Sequence, residues 1–234
     1  MAQDGRQARW DAHNQQRRLS ILDAALEVIE SEPVGAEFHV QQIAERAGLN
    51  RTVVYRHFAD RSDLDTAIRT HIIASLTEQL TPVVSLEGTI NEIIGRIIRT
   101  YVDWTEAHVA LHAFAVQETG GPFQQGIDQI ATMLGDLLSL AIALLGAELS
   151  EDEKALVDPL AYGLVGAALG AVGRWLARDV REPSAERISE LLSMSIWNLL
   201  DGHAKRLGVV LDPDLPLADV FAGGAPGAVP GSSS

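Results

Sequence analysis

The spacing of its apolar residues constrains this chain most: they recur at intervals of three and four, not two. Ile21, Leu22, Ala25, Leu26, Val28 and Ile29 form one such stripe; Ile188, Leu191, Leu192, Ser195, Ile196, Leu199 and Leu200 form another. That period gathers side chains on one side of a helix, whereas a half-buried strand alternates in twos. Strand signals are nearly missing, so the expected fold class is all-α. At 234 residues and 47% hydrophobic, the chain can bury one large core or two smaller ones.

Helix starts and stops divide the stripes. The first helix is expected over Arg17 to Glu32, ended by Pro33 and Gly35. A short second one spans Val40 to Ala47, and Gly48 suits the left-handed backbone that often closes a helix. Asn50 is placed to cap a third, Arg51 to Phe58, and Asp60 a fourth running from Arg61 to about Leu80, ahead of Pro82. Thr89–Glu92 and Ser150–Glu153 have the spacing of reciprocal capping boxes. They open helices near 89–107 and 151–178, the second bent or broken around Pro159. Gly120, Gly121 and Pro122 precede a long helix of about 123–146, and Pro183 and Ser184 precede the last. The organisation expected is a flexible arm (1–16), a compact helical domain (17–60) and a larger bundle (61–207) opened by a connecting helix (61–80). A Pro/Gly/Ser-rich tail (208–234) is too poor in buriable surface to order itself.

The formal net charge is −14, unevenly shared: residues 1–75 hold 9 Arg against 11 acidic residues, residues 76–234 hold 9 basic against 21 acidic. Such acidity argues against indiscriminate coating of nucleic acid and leaves room for one small basic device that docks in one orientation. Cys is absent, which excludes disulfides and thiolate chemistry and makes a cytoplasmic location the expectation. The first eighteen residues lack the apolar segment of a signal peptide. The uncharged run 159–173 is 15 residues long, short of the ~20 that span a bilayer, and 130–147 contains Asp136. No membrane association is expected.

The basic device is legible in "IAERAGLNRTVVYRHFADRSDL", Ile43 to Leu64. Two short helices around a glycine turn have the form of a helix-turn-helix. Ile43, Ala44, Ala47 and Leu49 are small or apolar where the helices must cross, and Val54 and Phe58, four apart, face that core. Arg51, Thr52, Tyr55 and Arg56 then occupy the other side. Arg can bridge guanine O6 and N7, and a Thr or Val methyl can meet thymine.

These residues resemble the TetR family of transcriptional regulators. The family pattern Ile-Ala-x-x-Ala-Gly-Val-Ser, then a hydrophobic residue, Tyr-x-His-Phe and a basic residue three further on, is met by Ile43-Ala44-Glu45-Arg46-Ala47-Gly48-Leu49-Asn50, Val54-Tyr55-Arg56-His57-Phe58 and Arg61. Asn50 replaces the usual Ser, and His39 stands where Thr often caps the second helix. The detailed match covers about residues 21–64. It implies an N-terminal three-helix DNA-binding domain joined to a larger helical bundle for ligand binding and dimerisation. By resemblance Tyr55, His57 and Arg61 contact phosphates, and Arg51, Thr52 and Val53 read bases. On the residues alone, His57 serves equally as an edge of the core, Gln41 touches phosphate or nothing, and Arg6, Arg9, Arg17 and Arg18 belong to a soluble arm or to one near DNA.

The partners so implied are an operator duplex, a second copy of the chain through the last two long helices, and a small apolar effector. Gly163, Gly166, Gly170 and Gly173 let another helix approach the 159–177 helix, as partner or as neighbour. Candidate effector walls are Trp104, His108, Phe114, Phe123, Met133, Leu137, Ala141 and Trp175, with Arg174 for an anionic head. Arg far exceeds Lys, 16 to 2, and the composition has a further likeness to actinobacterial regulators of fatty-acid desaturation, pointing to a long-chain fatty acyl-CoA. His108 and His112 have the i, i+4 spacing of a zinc pair but lack a third ligand, so no metal and no cofactor is expected. No P-loop, dinucleotide fingerprint or nucleophile elbow is present, so no enzyme is expected. The reading is a ligand-released repressor; the competing one is a helical lipid-binding or scaffold protein without DNA affinity.

Overall fold

The computed structural model describes residues 4–117, 121–206 and 208–222. In chain order the helices are α1 (Asp4–Ser31), α2 (Val40–Arg46), α3 (Arg51–His57), α4 (Arg61–Leu80), α5 (Ile90–Ala107), α6 (Val109–Val116), α7 (Gly121–Leu144), α8 (Glu151–Ala155), α9 (Val157–Leu176), α10 (Ala185–Arg206) and α11 (Leu217–Ala222). No strand occurs among the described residues, only an isolated bridge between Thr89 and Pro216. The all-α expectation is met. Contacts divide the chain into two units: residues up to Leu76 with Ala107–Gly126, and Thr77–Glu106 with residues from Ile127 onward.

In the first unit α1 starts well before Arg17, so residues 4–16, expected as an arm, continue the helix. Ala, Gln and Arg propagate helix readily, and no Pro interrupts them. Ile21, Ala25, Ile43, Val54, Phe58 and Ile68 are buried together to 1% exposure or less. Asp60 caps α4 as expected, accepting from Asp63 N–H at 2.8 Å, while Asp63 accepts from Ala59 N–H at 2.8 Å. α6 was not foreseen. Phe114 on it packs at 5.4 Å, tilted by 60°, against Phe38, and Arg69 of α4 lies 4.5 Å over the Phe114 ring. His71 of α4 meets Asp23 of α1 at 2.7 Å, and His108 at the head of α6 is bonded to Glu30 of α1. At Gly126 an added Cβ would come within 2.3 Å of Ile73, so glycine there permits close passage beside α4.

In the second unit the two expected capping boxes are present. Glu92 accepts from Thr89 N–H at 2.8 Å and donates its own N–H to Thr89 Oγ1 at 3.2 Å; Glu153 accepts from Ser150 N–H at 2.8 Å and donates its own N–H to Ser150 Oγ at 3.3 Å. The break before α9 falls at Leu156, which leaves Pro159 in the first turn, where a missing N–H costs nothing. α9 buries Ala161, Leu164, Val165, Ala168, Val172 and Trp175. The tail departs from expectation: α11 forms within it and Leu217, 4% exposed, is buried. Leu217 N–H donates to Gly88 O at 3.0 Å and Asn91 N–H to Pro213 O at 3.3 Å. Residues 209–220 retain six Val and Leu side chains beside Pro and Asp, enough to dock a turn of helix. The stretch beyond Ala222 lies outside the described residues.

Gly121–Leu144 and Glu151–Leu176 are each long and apolar enough to cross a membrane by length and composition, which the shorter or charged runs 159–173 and 130–147 do not suggest. Helix continues past the uncharged run, which lengthens it. Only 11% and 28% of these windows are fully buried, and much of the remainder is half-buried.

Candidate nucleic-acid interface

The turn between α2 and α3 is closed by backbone bonds, Gly48 N–H to Glu45 O at 3.1 Å and Leu49 N–H to Ala44 O at 2.8 Å. Gly48 has φ +65°, the left-handed conformation in which a Cβ would crowd the following carbonyl. At the start of α2, Gln42 Oε1 accepts from His39 N–H at 2.6 Å and its amide donates to Glu32 at 2.7 Å, the half of a capping box that does not depend on a Thr at position 39. Val54 and Phe58 point into the core at 0% and 1% exposure. The opposite face is consequently outward: Arg51, Thr52 and Arg56 are exposed, and Val53, Tyr55 and His57 half-exposed. Arg51 lies 5.4 Å over the Tyr55 ring, a stack that holds the two together at one rim.

Charge separates these residues further. Among the described residues neither Arg51 nor Arg56 has a carboxylate within 4.0 Å, whereas Arg46 pairs with Glu27 at 3.1 Å. Arg61, expected to contact phosphate, is engaged within its own domain: its Nε donates to Asp65 at 2.7 Å and its Nη1 to Phe38 O at 2.9 Å, with its guanidinium 4.5 Å over the Phe38 ring. Sequence could not foresee this, because Phe38 is remote along the chain. Asn50 occupies the position before α3 with extended backbone, and its carbonyl accepts Val53 N–H at 2.9 Å, but its side chain forms no cap bond, contrary to expectation. Gln41 is exposed and donates to Glu45 at 2.7 Å. His57 is held below its ordinary pKa by burial first, then by Arg18 and Arg17. Near neutral pH its imidazole is therefore uncharged and can offer a phosphate only an N–H bond.

The effector candidates divide between the units. His108, Phe114 and Phe123 belong to the first; Trp104, Met133, Leu137, Ala141, Arg174 and Trp175 to the second. Several have structural work. His108 is bonded to Glu30, Phe114 packs with Phe38, and the Trp175 indole N–H donates to Pro183 O at 2.7 Å. Phe123, Met133, Leu137 and Ala141 are half-buried, Trp104 is 8% exposed, and Arg174 is exposed. Met133, Leu137 and Ala141 lie one turn apart along α7.

A helix with an outward basic face, fixed by a glycine turn to a second short helix, defines a DNA-binding helix-turn-helix domain, here followed by a helical domain. Residues 21–68 match the family described as bacterial regulatory proteins, tetR family. The N-terminal domain thus matches the TetR family of DNA-binding transcriptional regulators. An uncharacterised HTH-type transcriptional regulator of Mycobacterium tuberculosis is 28% identical over 200 residues, 85% of this chain and 83% of the relative. A TetR-family regulator of Streptomyces coelicolor shares the fold with TM-score 0.63 at 17% identity, over 89% of each chain. The transcriptional regulator FadR of Bacillus subtilis, solved with stearoyl-CoA, superimposes with TM-score 0.57 at 18% identity, over 76% of this chain and 96% of that one.

Proposed function

We propose that the chain acts as a homodimeric repressor in which α3 enters the major groove at each half of a palindromic operator and a small apolar effector releases it. The carrying observation is the division of α3: Val54 and Phe58 are sealed in the core while Arg51, Thr52 and Arg56 face outward. Arg51, Thr52 and Val53 would read bases; Tyr55, Arg56 and His57, with Asn50 and Gln41 at the rim, would hold phosphates. Gel shifts with Arg51→Ala and Tyr55→Phe test this: each should weaken operator binding and leave the dimer intact, and a shift unaffected by both removes the placement.

Doubling one short helix needs a second copy. On α10, Ile188 and Leu192 are buried in the chain, but Leu191, Met194 and Leu199 are 49%, 56% and 47% exposed. On α9, Gly163, Gly166 and Gly170 are exposed, and nothing lies within 4 Å of a Cβ added at any of them. Such a face accepts a close partner helix.

A long-chain fatty acyl-CoA is the proposed effector. It rests on the acyl-CoA held by the Bacillus subtilis FadR and on the apolar row Met133, Leu137 and Ala141. Release requires the acyl-CoA to favour the arrangement that does not bind DNA. Stearoyl-CoA should free the operator duplex in a gel shift, and native mass spectrometry should find a copurifying acyl species; failure of both removes this ligand.

A further inference from the structure

Arg18 belongs to no DNA-contact motif, yet it holds the end of the reading helix. It lies three and four residues before Ile21 and Leu22, which are 0% and 6% exposed, so the α1 core fixes its backbone. Its Nη1 donates to His57 O at 2.6 Å, one of the last carbonyls of α3, which a helix leaves without an internal partner. Its guanidinium carbon stands 4.1 Å from the centre of the Phe58 ring. One side chain thus engages two consecutive residues where the chain leaves α3, at the negative end of the helix. There the backbone turns extended, φ −133° and ψ 129° at Phe58, and Phe58 N–H returns to Val54 O at 3.1 Å.

α3 has seven residues, too few to be stable alone. Its outward face is only as well aimed as its two ends. Gly48 sets the first. We infer that Arg18 is a positioning residue for DNA reading, fixing the exit of α3 through the His57 carbonyl and the Phe58 ring rather than by touching phosphate. This rests on the DNA-reading role of α3 proposed above. A planar guanidinium can donate and stack at once; a lysine ammonium cannot do both in the same geometry.

The test uses the full chain and a fluorescein-labelled duplex enriched by the wild-type protein from a random-sequence pool. Anisotropy is measured against salt, at a temperature where circular dichroism shows each variant folded. Arg18→Met should bind at least tenfold more weakly with an unchanged slope of log K on log salt, and Arg18→Lys should recover part of the loss. Unchanged affinity overturns the inference. So does a slope smaller by about one, which would make Arg18 a phosphate contact. Amide hydrogen exchange on the free protein needs no DNA: Phe58 N–H should lose protection in both variants, and retained protection overturns the inference. Should Arg18→Met not fold, Arg18→Lys carries both readouts. If the wild-type protein enriches no duplex, the DNA-reading role fails, while the exchange result still decides whether Arg18 fixes the helix end.

Discussion

Replacing Gly166 and Gly170 of α9 by Ala separates what this face does within one chain from what it does between two. Neither glycine has positive φ, and nothing lies within 4 Å of an added Cβ at either. Within the single chain the substitutions are free of clashes and remove two glycines from a helix interior. Each gains about 0.8–1.0 kcal/mol of helix propensity. Together that is roughly 2 kcal/mol, on the order of a 30-fold rise in the folded-to-unfolded ratio. Against a closely packed second copy the same methyl groups overpack the contact, at about 1–3 kcal/mol. The dimer Kd should then rise about tenfold or more while the monomer becomes harder to unfold. Sedimentation velocity across a dilution series gives the Kd, and urea unfolding at the lowest concentration gives the monomer term. A doubly substituted protein that unfolds later and dimerises as tightly as before would refute the assignment of this face to the dimer.

Gly48→Ala should cost about 1–2 kcal/mol, all of it backbone strain, because φ is +65° and no atom lies within 4 Å of the new methyl; the urea midpoint reads it. Arg61→Met should lower stability in urea unfolding by about 1 kcal/mol through the loss of its bond to Phe38 O, and leave the salt slope of DNA binding unmoved; a smaller slope would return Arg61 to the phosphates. His112 is 9% exposed, its Nε2 is buried with no hydrogen-bond partner among the described residues, and burial lowers its pKa from 6.5. At higher pH both folded and unfolded forms are neutral. As pH falls through 6.5 the unfolded chain takes up a proton first, so stability should drop until the lowered folded-state pKa is passed. His112→Leu should flatten that decline in urea midpoints taken across pH, without lowering stability at neutral pH.

Legibility in the sequence followed the range of the interactions involved. The boxes at Thr89–Glu92 and Ser150–Glu153, the cap at Asp60 and the left-handed Gly48 are all settled within a few residues, and they stand as expected. The buried and exposed faces of α3 are likewise set by a four-residue spacing. What escaped depends on distant partners. α6 is a short run, apolar apart from His112, whose helical nature is fixed by Phe38 and by Glu30 of α1, and α11 forms because residues 88–91 accept it. Arg61 and Arg18 look like surface cations until Phe38 and His57 are brought beside them by the fold. The glycines of α9 stayed ambiguous for a related reason: an open face in one chain is informative only once the chain's own packing is known.

The central claim is that the outward side of α3 reads base edges. Enrichment from a random duplex pool, run in parallel for the wild-type protein and Arg51→Ala, tests it most directly. The wild-type protein should yield an inverted repeat, and the variant should lose preference at one symmetry-related base pair by about 1–3 kcal/mol while keeping the rest of the site. Identical preferences in both proteins, or an enriched site with no two-fold symmetry, would contradict it.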